Sequence, residues 1–227
     1  MAKLKLPKGS PSIDMTPMVD LAFLLVTFFM LAADFRTDEV VKVEIPSSIG
    51  KDDIPQKTLV MVTVDTKGRV FFTCSGEEVR KKVLMQMMAK YKVPLSEENI
   101  TTFTRLEGGF GCSMSELPKY LSLNSDERKN LPNATIPVDT TRNNELADWI
   151  NFANREMLDY GKAKFEEENA KQGKGGVPLK PEDFKPKFVL KADMEAEYVK
   201  VKTVIEVFRN LKLNNLNFVT SQEAQQL

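Results

Sequence analysis

The stretch IDMTPMVDLAFLLVTFFMLAADF, residues Ile13 to Phe35, decides how the chain is read. It is apolar almost throughout, with one carboxylate, Asp20, a short way inside its N-terminal end. The charge-free run from Leu21 to Ala33 would make a helix of about 20 Å, short of a hydrocarbon core of about 30 Å. A helix from 13 to 35 would reach about 34 Å and would place Asp20 roughly two turns below the surface. A lone acid at that depth costs about 2.5–3.5 kcal/mol, so it calls for a functional reason. Two plainer readings compete. In one, Lys3, Lys5 and Lys8 open a cleaved leader, against which stand the acids Asp14 and Asp20 and the large Leu31 near any cleavage point. In the other, Thr16 is an N-cap, Pro17 the first helical residue and Asp20 a dipole-favoured carboxylate. That reading leaves the helix too short to span, and length favours the submerged acid.

Bulk composition narrows the function classes. The 227 residues carry 32 basic and 32 acidic side chains, so nothing points to a nucleic-acid binder. Histidine is absent, which removes the usual proton shuttle and the commonest metal ligand. No Ser/His/Asp set is then possible, and Gly108–Gly111 does not lead from a strand into a helix as a phosphate cradle requires. The chain is therefore read as neither an enzyme nor a metal or cofactor binder. The three lysines ahead of the apolar stretch favour a cytoplasmic N-terminus, with everything after Phe35 across the membrane. In that oxidising compartment Cys74 and Cys112 could pair; two unpaired buried thiols are the alternative.

Taken in order, residues 1–12 read as a basic cytoplasmic tail and 13–35 as the transmembrane helix. Within it Thr27 lies seven residues from Asp20 on nearly the same side. Its hydroxyl could hold a water or a partner's side chain, or could bond back to its own helix. Residues 36–57 form a periplasmic linker, in which Val41, Lys42, Val43, Glu44, Ile45 and Pro46 alternate as a short strand would. Such a strand suits contact with a second copy or addition to a sheet edge. Leu59–Val64 and Val70–Thr73 read as a hairpin about Asp65–Gly68, followed by a capping box, Ser75 to Glu78. That box opens a helix with Val79, Val83, Leu84, Met87, Met88 and Tyr91 on its apolar face. Phe188–Ala192, a helix from 195 to 213 with Tyr198, Val201, Val204, Ile205, Phe208 and Leu211 inward, and Phe218–Thr220 complete the pattern. The expected fold is a single-pass transmembrane helix followed by an α+β periplasmic domain, 58–93 and 187–227, of one small sheet with two helices on one face. Residues 94–186 form a long, partly helical insertion subdomain. It holds short helix 115–121, longer helix 144–172 and Trp149, read as the core of that subdomain.

The run PSIDMTPMVDLAFLLVTFFM resembles the signature of the ExbD/TolR family of proton-motive-force transducers, with Asp20 at the family's membrane carboxylate and Thr16-Pro17 at its Thr-Pro. Val41–Pro46 resembles the strand that follows the span in that family. Residues 1–92 and 187–227 carry the likeness. Asp14, Asp34 and the insertion depart from it. Phe-Leu-Leu and Val-Lys-Val lean toward ExbD rather than TolR. The resemblance implies a dimer of these chains inside a pentameric ring of an ExbB-like polytopic protein in the Gram-negative inner membrane. It also implies a TonB-like periplasmic partner, with peptidoglycan as a further one, and Asp20 as proton carrier coupling the proton motive force to TonB-dependent outer-membrane transport. A TolR-like envelope-integrity role and a non-energised periplasmic adaptor are the alternatives. A flagellar-type stator would need a peptidoglycan-binding domain that is not found.

Overall fold

The computed structural model describes residues 15–32, 47–48, 58–106, 108–139, 144–171, 181–213, 215–219 and 221–222. The chain divides into two units, Met1–Thr37 and Asp38–Leu227.

In the first unit, one helix, α1, runs Thr16–Ala32. It begins at the expected Thr-Pro, with the Val19 amide bonded to the Met15 carbonyl at 3.1 Å. Its 17 residues make about 25 Å of helix. Among the described residues no helix is long and apolar enough to cross a membrane. The expected span of 13–35 runs beyond the described residues at both ends. Every side chain from Met15 to Met30 is exposed, the large apolar ones between 54% and 74%.

The second unit is built on a mixed four-stranded sheet. Its strands are β2 Leu59–Val64, β3 Val70–Cys74, β4 Lys187–Ala192 and β5 Leu216–Phe218, in the order β3-β2-β4-β5. The β2–β3 hairpin is antiparallel, with Val62 opposite Phe72, while β2–β4 and β4–β5 are parallel. The hairpin closes through Asp65, whose Oδ1 accepts the Lys67 and Arg69 amides at 3.0 and 2.7 Å. Gly68, at φ 70°, supplies the left-handed residue that the turn needs. Parallel strands require long crossovers. α7, Tyr198–Asn210, joins β4 to β5, and everything from β3 to residue 186 joins β2 to β4.

That second crossover contains α2 Glu77–Tyr91, α3 Glu97–Arg105, α4 Leu117–Ser122, α5 Ser125–Lys129 and α6 Glu145–Lys171, then a 3-10 turn at Pro181–Phe184. The expected two-helix layer is incomplete. α6 packs against α2 and also touches β2, β3 and α7, so a third helix joins the core. Val60, Val62, Phe72, Phe188 and Leu190 form the sheet's share of that core. Val79, Val83 and Met87 of α2, Trp149, Ile150 and Met157 of α6, and Val204 and Phe208 of α7 close over them. Strand alternation puts Thr63, Phe71 and Val189 on the other face, and they too are buried. The methionine stripe of α2 is packing, as expected: Met87 is fully buried.

The segment around Gly108–Gly111 is woven into the sheet. Phe110 forms an antiparallel bridge with Phe72, exchanging amide bonds of 2.8 and 3.0 Å. A Cβ on Gly109 would lie 2.2 Å from Thr73 Oγ1, and one on Gly111 would lie 2.5 Å from the Phe71 ring. Only glycine lets this segment approach β3 so closely. The Ile136 amide bonds Val70 at 2.9 Å, further covering that edge. Phe72, Phe103, Phe110 and Trp149 then form one aromatic cluster, with ring centroids 4.8–6.0 Å apart.

Three local readings need correction. Ser75 does not cap α2: its hydroxyl accepts from Leu59 N at 2.7 Å and donates to Leu59 O at 3.1 Å, joining β3 to β2, and Gly76 precedes the helix. Tyr198 lies on the outer side of α7, 75% exposed, because the helix starts there rather than at 195 and its inward face begins at Val201. The strand expected at Phe218–Thr220 is Leu216–Phe218, two residues earlier.

Candidate functional site

The sequence directs attention first to Asp20 on α1. It stands in the second turn of the helix, past the first turn, which contains no acid. Nothing but apolar residues and Thr27 follows it up to Ala32. Seven residues of α-helix return almost to the starting direction, so Thr27 sits on Asp20's side about 10 Å along the axis. The Thr27 hydroxyl is 3.0 Å from both the Phe23 and the Leu24 carbonyls and donates its single proton back into its own helix. Of the two readings of Thr27, the back-bonded one is the arrangement found. Asp20 is thus the one ionisable group on an otherwise apolar described helix. Asp14 and Asp34 lie outside the described residues.

The proposed strand Val41, Lys42, Val43, Glu44, Ile45 and Pro46 also lies outside them. Directly after it, β1, Ser47–Ser48, pairs in parallel with β6, Ser221–Gln222. Residues 47–48, midway along the linker, are therefore held beside 221–222. The serines carry no periodic apolar signal, and sequence reading passed over them.

The sheet has two unlike edges. On β3 the outer edge is used by Phe110 and Ile136. Among the described residues no strand borders the outer side of β5, where Phe218 is 54% exposed. A row of unpaired backbone groups at such an edge is a template for an added strand.

Cys74 and Cys112 are free, buried thiols. Strand geometry explains why no bridge joins them. Phe72 faces Phe110 in an antiparallel bridge, so the two residues leading to Cys74 and the two leading to Cys112 run in opposite directions. That separates the cysteines by about 13 Å along the strand, whereas a disulfide needs α-carbons within about 7 Å. Burial pushes the Cys74 thiol up to about 12, against a smaller opposing pull from the Arg80 guanidinium. Burial, with Glu116 and Glu145 adding to it, also raises Cys112. Neither offers a thiolate near neutral pH.

Arg80 is a residue that sequence reading missed. Only 6% exposed, it donates from Nε to the Thr104 carbonyl at 2.8 Å and from Nη1 to the Cys74 carbonyl at 3.0 Å. It ties the end of β3 to α3. Its position next to Val79, on a face otherwise apolar, was the available signal. Among the described residues no cluster of Cys, Asp or Glu is arranged to hold a metal.

The described residues thus combine an apolar helix bearing one carboxylate with a small mixed-sheet domain that leaves one edge open. The family model described as Biopolymer transport protein ExbD/TolR matches residues 7–223, nearly the whole chain, and the protein belongs to that family. The match runs through 94–186 as well as the parts that carry the sequence likeness. No curated protein and no solved structure is significantly similar to the chain. Members of the family are inner-membrane subunits with a periplasmic domain that transduce the proton motive force to energise transport; they are not enzymes, and their membrane partners are of the ExbB/TolQ kind.

Proposed function

We propose that this chain is an ExbD-like subunit of a proton-driven membrane motor, with Asp20 as the proton carrier and TonB-dependent outer-membrane transport as its output. The observation that carries the reading is Asp20 itself, the one acid on a helix whose side chains from Met15 to Met30 are all exposed. A helix apolar on every side belongs in lipid or inside a ring of other helices. An ionised carboxylate facing lipid is disfavoured, so Asp20 faces protein or a wet path. In this reading the helix continues from 13 to 35 to make up the missing length, and a pair of copies stands inside a pentameric ring of an ExbB-like protein.

Energetics suit the role. A proton falling through the membrane potential releases about 2.3 kcal/mol per 100 mV, comparable with the cost of about 2.5–3.5 kcal/mol for holding an acid at depth. Loading and unloading a proton therefore decides whether Asp20 rests against a polar partner or passes a dry stretch. Thr27, spent on its own backbone, takes no part in that step. Motion passes along 36–57 to the periplasmic domain, where strand 41–46 contacts the second copy or a TonB-like protein, and the free side of β5 is the edge for an added strand. The 94–186 segment would contribute the partner surface that shorter relatives lack, with peptidoglycan as a further ligand.

Asp20→Asn tests this directly. Energised uptake should vanish while the variant still co-purifies, in mild detergent, with a polytopic partner present in excess. Uptake at the wild-type rate would leave a single-pass adaptor. Loss of envelope integrity with uptake intact would assign the TolR-like role.

A further inference from the structure

At the hairpin end of the sheet, α7 and the extended segment 135–138 border an open cavity of about 310 Å³. Lys67, Arg69 and Lys200 line it, and no carboxylate does. In a chain with 32 cations and 32 anions, three cations around one hollow without an acid is a local surplus. The nearest acid on the turn, Asp65, is 3% exposed and already accepts from Arg69 Nε at 2.6 Å. Glu195 and Glu197, which precede α7, do not line the cavity.

The cations are placed rather than scattered. A Cβ on Gly68 would fall 2.9 Å from Lys200 Cγ, so the Lys200 stem lies across the turn glycine beside Lys67. Arg69 is held by Asp65, by the Leu131 carbonyl at 3.0 Å from Nη1, and over the Phe71 ring at 5.5 Å. Among the described residues its Nη2 makes no hydrogen bond, and neither Lys67 nor Lys200 makes an ion pair. The rest of the wall combines Val70, Ile136, Pro137 and Val138 with Gly68, Thr135 and Thr203. The lining hydroxyls are engaged: Thr135 Oγ1 accepts from Val70 N and Thr203 Oγ1 donates to Val199 O, both at 2.9 Å. Cationic donors beside an apolar stretch of wall fit a molecule with an oxyanion at one end and a short apolar body at the other.

We propose that this cavity binds an amphiphilic oxyanion, a phosphate or carboxylate carried on a short apolar chain, through Lys67, Arg69 and Lys200. Such a group can come from a free small molecule or from a phospholipid headgroup. The site is separate from Asp20 and stands whether or not the motor reading holds.

The test uses the full chain in an uncharged detergent. Calorimetric titration with butyl phosphate should show one site per chain, at least tenfold tighter than inorganic phosphate, since each buried methylene adds about fourfold. Butanol should show no site. Raising salt from 50 mM to 500 mM should weaken binding several-fold. The double variant Lys67→Gln, Lys200→Gln should bind butyl phosphate about tenfold more weakly with an unchanged circular-dichroism spectrum, and the surface control Lys162→Gln should bind as the parent does. A second arm labels amines in nanodiscs: protection of Lys67 and Lys200 in phosphatidylglycerol but not phosphatidylcholine names the headgroup as the source, while butyl phosphate binding without such protection names a free ligand. Failure of both arms, binding that survives the double variant, or an equal loss in Lys162→Gln overturns the proposal.

Discussion

α1 and the sheet domain handle apolar residues in opposite ways. In α1 every large apolar side chain up to Met30 is exposed, whereas Val62, Phe72, Trp149, Ile150 and Leu190 are each at most 1% exposed. Folding within the second unit satisfies its hydrophobicity. The described part of the first, α1, leaves its large apolar side chains exposed. The same contrast governs the polar groups. Arg80 is enclosed and has its carbonyl partners within the chain, while in the proposed motor Asp20 makes its interactions with a partner.

The comparison breaks most sharply at Asp20. Asp20→Asn should remove energised uptake altogether while the melting profile of the sheet domain stays unchanged; a shifted melt would mean the two regions are not independent. Next in size is Trp149→Ala, which opens a hole among three phenylalanines. It should cost about 3–5 kcal/mol in a denaturant titration and leave insertion of the N-terminal helix intact. A loss under 1 kcal/mol would show that 94–186 is not part of the shared core.

How far these contrasts were legible in the sequence depended on range. The hairpin was plain, since Asp65 and Gly68 close it locally, and so was α6, with its long 3.6-residue period. The Phe72–Phe110 bridge was not, because its signal is the smallness of Gly109 and Gly111 against a strand more than thirty residues earlier. Glycine in sequence reads as loop; here it reads as contact. α3 was missed because it is short and fully buries only Phe103, although Ser96 caps it by accepting the Asn99 amide at 3.3 Å. Asp20 was conspicuous because an acid in an apolar run breaks a rule. The free thiols could not be settled, since strand register, not spacing, separates them.

Smaller effects sharpen the picture. Glu145 accepts the Met114 amide at 2.9 Å, and burial raises its carboxyl above the ordinary 4.5, with Asp148 and Glu116 adding to the shift. The folded chain therefore holds this proton to higher pH than the unfolded chain. Its stabilising effect is full below 4.5 and is lost as pH rises through the raised value. Denaturant midpoints of Glu145→Gln should accordingly change less than the parent's across that interval; an identical slope would rule the group out. Thiol titration makes a yes-or-no check. Both cysteines should resist a neutral-pH thiol reagent and react only after denaturant is added, with no mass difference on reduction. The smallest effect is expected at Thr27→Val: because that hydroxyl serves its own helix, uptake should stay within about twofold, and a larger loss would restore it as a positioning group.

The enclosure of Trp149 has a practical consequence. It is the chain's only tryptophan, and it touches rings from β3, α3 and the bridging segment at Phe110. Its emission therefore serves as a built-in optical gauge of whether the periplasmic half is intact, readable in intact vesicles without a dye. A red shift on energising the membrane would reveal force reaching the interior of that half; an unmoved spectrum would mean that it travels as a rigid body.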